Sequence, residues 1–135
     1  MTAGGSRGQA VIEMAMVVPI MLVIIFGFLG LLLWIETVHD LRAATTLAGT
    51  TAATFREDSI EASRAEAETF NGTMRQYGYV EVRSFGCRHD PANFRVDCDA
   101  TAVLRFDRTP LAVAWPGNPA LNAHALSYFS RFRSR

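Results

Sequence analysis

Few residues in this chain have types and spacing suited to chemistry. Glu13 is the only charged side chain between Arg7 and Glu36, and the uncharged stretch Met14 to Ile35 runs directly on from it. An ionisable residue at the edge of an apolar run is a functional hypothesis by default. Cys87 and Cys98 are the only cysteines. They read either as one disulfide in an oxidising compartment or as two buried thiols. Cys87 with His89 could open a metal site, but partner ligands are missing, and His39, His89 and His124 show no ligand spacing. No metal or other cofactor is expected. Glu66 and Glu68 read as a wet helix face rather than a catalytic pair. Neither a nucleophile elbow nor a phosphate-binding loop is present, because Gly4-Gly5-Ser6 lacks the flanking strand and helix. An enzyme, and a small-molecule substrate, are therefore not expected.

The elements that must position these residues follow from periodicity. Residues 14–35, at about 1.5 Å each, give roughly 33 Å of helix, which spans a hydrocarbon core of about 30 Å. A cleaved secretory signal is the alternative, with small residues at Ala43-Ala44 and Leu47-Ala48-Gly49. Its apolar core would be unusually long, since such cores run about 7–15 residues. Arg7 and the initiator amine precede the span, while Glu36, Asp40 and Arg42 follow it. That balance favours an N-terminus inside and the remainder outside. Pro19 removes a backbone donor within the run and predicts a mild kink. Gly27 and Gly30 are thin spots where another helix could approach.

Residues 1–8 are small and offer nothing to pack, and helical character is expected from about Gln9. Beyond the span, Val38, Leu41, Thr45, Ala48, Ala52 and Phe55 recur at helical steps, so the helix is expected to continue as a stalk over 36–56. Asp58 and Glu61 fit a capping box for a second helix with the stripe Ile60, Ser63, Ala67, Phe70, Met74, Tyr77. The period then changes to two. Residues 79–87 read as a strand, and His89 to Asn93 as turn material. Phe94, Val96, Cys98, Ala100, Ala102, Leu104 and Phe106 alternate with Arg95, Asp97, Asp99, Thr101, Val103, Arg105 and Asp107. One buried and one wet face produce that alternation. Cys87 and Cys98 then fall close to a hairpin register. Leu111 to Trp115 reads as a short edge segment or a covering loop, and Ala123 to Phe132 as a last strand. The tail Arg131, Arg133, Arg135 reads as a solvated end.

Thirteen arginines balance thirteen acids, with no lysine. A neutral chain offers no broad basic surface, so nucleic acid is not an expected partner. The expected class is α+β: a leader over 1–8, a membrane-spanning helix over 9–35, a stalk over 36–56, and a small α+β domain over 57–135 with an antiparallel sheet of three or four strands.

Gly8 followed by Gln9, with Glu13 fifth after the glycine and a long apolar helix behind it, resembles the substrates of prepilin peptidases. The continuation Glu13-Met14-Ala15, with Pro19 six positions after the glutamate, resembles more specifically the TadE-like family. Its members are minor pilins or pseudopilins of the tight-adherence (Tad/Flp) pilus system. The resemblance implies cleavage between Gly8 and Gln9, and residence in a bacterial inner membrane. It also implies partners among lipid, other pilins, the Tad assembly machinery and the peptidase. Gln9 stands where type IV pilins usually carry phenylalanine, and Met14 where major Flp pilins carry tyrosine. The chain is also much longer than a major Flp pilin, which argues against the main filament subunit. Two readings of Glu13 stay open. In one it pairs with the new α-amine of a neighbouring copy and sets axial register; in the other it marks the membrane interface among headgroups. The alternative function is an unprocessed single-pass anchor whose outer domain binds an envelope partner.

Overall fold

The computed structural model describes residues 5–55, 58–74 and 78–129, with side chains from Val11 onward. The expected roles of Tyr77, Phe132, the arginine tail and the first four leader residues lie outside these. Helix α1 covers Gly5–Ala52, 48 residues and about 72 Å of axis. Helix α2 covers Ile60–Met74. Strands β1 (Val80–Asp90), β2 (Arg95–Leu104) and β3 (Ala120–Tyr128) form one antiparallel sheet in the order β1-β2-β3. The fold is α+β, with three strands.

Helix α1 starts one turn earlier than expected, at Gly5 rather than near Gln9. Extending an established helix by a turn is cheap even for small residues. It stays helical through Pro19. It closes at Ala52, short of Phe55, which lies in a turn where its N–H donates to the Ala52 carbonyl at 2.9 Å. The far half is not a free stalk. Leu41, Ala44, Thr45, Ala48 and Ala52 are buried, at the three- and four-residue steps of one helix face. Small residues on that face meet small residues on the sheet, Ala100, Ala102 and Ala123, which brings backbone close to backbone. Thr37 and Thr45 are buried on the helix without loss, because each hydroxyl donates to the carbonyl four residues back (Leu33 and Leu41) at 2.7 Å.

The N-cap of α2 is Ser59, not Asp58: the Ala62 N–H donates to Ser59 Oγ at 3.0 Å. The shift of one residue frees Asp58 for another partner. The buried line of α2 is Ala62, Glu66, Phe70, Met74, each four residues apart. Ile60 points to solvent and Glu66 points inward, which reverses the expectation for both. Phe70 closes the core by stacking on Phe85 of β1, ring centroids 4.2 Å apart.

Strand β2 follows the expected alternation from Val96 to Leu104, all inward positions being buried against α1. Its first expected inward residue, Phe94, belongs instead to the turn at residues 91–94, at φ 54°. Asp90 holds that turn by accepting from the Asn93 side-chain amide at 2.7 Å. His89 and Asp90 are therefore the end of β1 rather than turn. Cys87 and Cys98 face one another in register and are bridged. A loop of about ten residues closed this way stabilises the fold by about 2–3 kcal/mol in the chain-entropy picture. Leu111 to Trp115 forms a covering loop that begins with a short helical turn, Pro110–Val113, rather than an edge strand.

Candidate functional site

Two regions bear on function: the bare half of α1, and a polar cluster where α1 ends. From Val11 to Ile25 every side chain of α1 is exposed, Glu13 among them. Val11, Ile12, Met14 and Met16 are each more than 60% exposed, a continuous apolar surface that no part of the described chain covers. A large exposed apolar surface on a long helix marks a partner, lipid or protein. Gly8 and Gln9 both lie within α1. Five residues separate Gly8 from Glu13, about 7.5 Å along the axis, so a chain end created at Gln9 stands little more than one turn below the carboxylate.

Cover begins higher up. Gly30 is the first buried position of α1. A Cβ there would lie 2.1 Å from Trp115 Nε1, so the indole rests directly on the glycine. The same Nε1–H donates to the Gly27 carbonyl at 3.2 Å. The glycines expected to admit a second helix thus admit a tryptophan of this chain. No local signal in the sequence links residues 85 positions apart.

At the other end of α1, His89 is buried with an oxygen acceptor at each ring nitrogen. Its Nδ1 pairs with Asp58, and its Nε2 lies 3.2 Å from the Ala52 carbonyl. Phe129 stacks on the ring, centroids 5.8 Å apart. Glu66 Oε1 is 3.9 Å from Nε2 and accepts no hydrogen bond among the described residues. The cluster ties the end of α1, the connection to α2, α2 itself and β1. Sequence reasoning missed it, placing Glu66 on a wet face and His89 in a turn. A signal was present, since Phe85, Cys87 and His89 continue the inward alternation of β1.

Burial pushes the Glu66 carboxyl above its usual 4.5; nearby His89 draws it down and nearby Asp58 pushes it up. A raised folded-state value means that folding favours the protonated acid. The stability it contributes is full below the ordinary value and is lost as pH rises through the folded value. Glu66→Gln keeps the shape and removes the ionisation. Its unfolding midpoint is expected to fall less than the wild type's between pH 4 and pH 7. Urea titrations at several pH values read this, and parallel curves would refute it. His124, 3.9 Å from Asp97 on the outer sheet face, is too exposed to join this behaviour. Arg64 and Glu68 pair at 3.1 Å on the solvent face and contribute little.

A long apolar helix with a small α+β domain folded onto its far half fits a single-pass membrane anchor. Within that class, residues 8–49 match the model of the family described as TadE-like protein. The match opens at Gly8 and ends in the buried face of α1, so it covers the helix and not the domain built on it. No curated protein and no solved structure matches the chain.

Proposed function

We propose that this protein is a minor pilin or pseudopilin of a Tad-type pilus or secretion machine. A prepilin peptidase cuts it after Gly8, and it assembles through its N-terminal helix. The observation that carries this reading is the bare apolar surface of α1 from Val11 to Ile25, headed by Glu13, in the segment that matches the TadE-like family. The domain faces the outside of the inner membrane, where the Cys87–Cys98 bridge is chemically at home.

Glu13 supplies register. A carboxylate near lipid is expensive alone. The α-amine of a neighbouring copy, offset along the axis, neutralises it, whereas apolar surface alone lets helices slide. Cleavage needs the backbone around Gly8 opened from its helix. Glycine there weakens the helix by about 1 kcal/mol relative to alanine, which eases opening. The reaction is done to this chain, and its own residues assemble rather than catalyse.

Gly8→Ala tests processing. Expressed beside a Tad prepilin peptidase, the wild type is expected to lose its first eight residues, and the variant to remain at full length. Equal processing of both would refute Gly8 as the recognition element. A wild-type chain that is never shortened would favour the permanent anchor.

A further inference from the structure

We propose that the loop Pro110 to Pro116 is a second membrane contact: Trp115 and Val113 sit in the outer interface of the same bilayer that α1 crosses. The proposal rests on the reading of α1 as a membrane span. The geometry follows from where Trp115 touches the helix. A slab about 30 Å thick takes about twenty helical residues. Counted from Met14, just past Glu13, it ends near Leu33. Gly27 and Gly30, where Trp115 rests, then lie about 5–9 Å below the outer edge. Counted down instead from Gly30, the slab reaches Val11 and takes Glu13 inside. Keeping Glu13 at the inner edge therefore places the indole in the outer acyl and headgroup zone.

The loop is built for that place. No charged residue occurs between Arg108 and His124 other than the two chain positions themselves. Val113 is 83% exposed, and Pro110, Ala112 and Pro116 are exposed beside it. Backbone donors are satisfied locally, as lipid demands. The Leu111 N–H donates to Thr109 Oγ1, Ala112 to the Thr109 carbonyl, and Ala114 and Trp115 to the Leu111 carbonyl. The indole N–H is held by Gly27. Both tryptophans of the chain fall in one band, since Trp34 stands only one turn above Gly30. Tryptophan gathers at membrane interfaces, where an apolar ring meets a wet edge. Lipid is favoured over a second copy as the occupant because the surface is continuous with Phe28, Leu29 and Leu32 of α1, which are exposed at the same level.

Depth-dependent quenching tests this on the full chain in phosphatidylcholine vesicles brominated near the headgroup end or the tail end of the acyl chain. Trp34→Phe leaves Trp115 as the sole reporter, and Trp115→Phe leaves Trp34. Shallow bromines are expected to quench Trp115 about twofold or more and deep bromines less, as for an interfacial indole. Val113→Asp, at an exposed position, is expected to weaken that quenching and shift the emission to the red. Quenching of Trp34 but not Trp115 overturns the loop contact alone. Blue emission from Trp115 without quenching overturns it in favour of a protein neighbour. Absence of quenching in both proteins overturns the membrane reading, and the loop contact with it.

Discussion

Glu13→Gln is expected to enter the membrane at least as well as the wild type and to be nearly absent from filaments formed with other pilins. Glutamine preserves size and removes the charge that costs most in lipid, so insertion is not impaired. What is lost is the partner for the neighbouring α-amine. Removing one member of a buried, hydrogen-bonded charge pair costs about 2 kcal/mol or more, so each contact weakens about thirtyfold. Co-purification of tagged variant with sheared filaments, normalised to its membrane level, reads the effect. Glu13→Asp keeps the charge on a shorter arm and should fall between the two. Incorporation of Glu13→Gln at the wild-type level would remove charge pairing from the mechanism and leave Glu13 as an interface marker.

The largest expected effect on stability belongs to Phe70→Ala. Phe70 is 1% exposed, sits on the inward line of α2 and stacks on Phe85, so it joins both helices to the sheet. Truncating a buried phenylalanine to alanine costs about 3–5 kcal/mol, a large part of the 5–15 kcal/mol that holds a domain together. A domain of this size should then melt at least about 10 °C lower. Trp115 emission during heating reads the domain without interference from the span, which stays helical. Ile60→Ala, at a position 89% exposed on the same helix, is the control and should change stability by no more than about 0.5 kcal/mol. Equal shifts in the two variants would contradict the placement of α2.

Where one face is wet and the other dry, the sequence was easy to read. Strand β2 alternates a charged or polar residue with an apolar one, and the structure buries that apolar set from Val96 to Leu104. The stripe of small residues on α1 was legible for the same reason, and its smallness correctly implied close packing. Helix α2 was misphased because its one exposed large aliphatic, Ile60, and its one buried acid, Glu66, both break the rule that apolar residues go inside. Glu66 is tolerated within reach of His89, a contact between distant segments that periodicity does not encode. Asp58 and Ser59 both make good N-caps, and only the position of His89 decides between them, by drawing Asp58 away. Trp115 on Gly30 is the extreme case. Each partner looked ordinary alone, and their meeting depends on how the whole domain folds back along α1.

Of the functional region, the residues were visible and their environment was not. Gly8, Gln9, Glu13 and Pro19 stand out by type and spacing in a segment that the family match covers. The structure adds that the apolar surface beside Glu13 is bare, whereas the surface above Gly30 is occupied by the chain's own domain. A neighbouring subunit can therefore pack along the lower part of α1 without displacing the domain, and the upper part is already committed. Steric availability and the acid thus fall on the same half of the helix.

The most direct measurement is the intact mass of the N-terminal peptide from protein isolated from its native membranes. A mature chain is expected to begin at Gln9, with the amine that Glu13 of a sister copy needs. Native protein that begins only at Met1 or Thr2, with no shorter form, would contradict assembly through a newly made N-terminus.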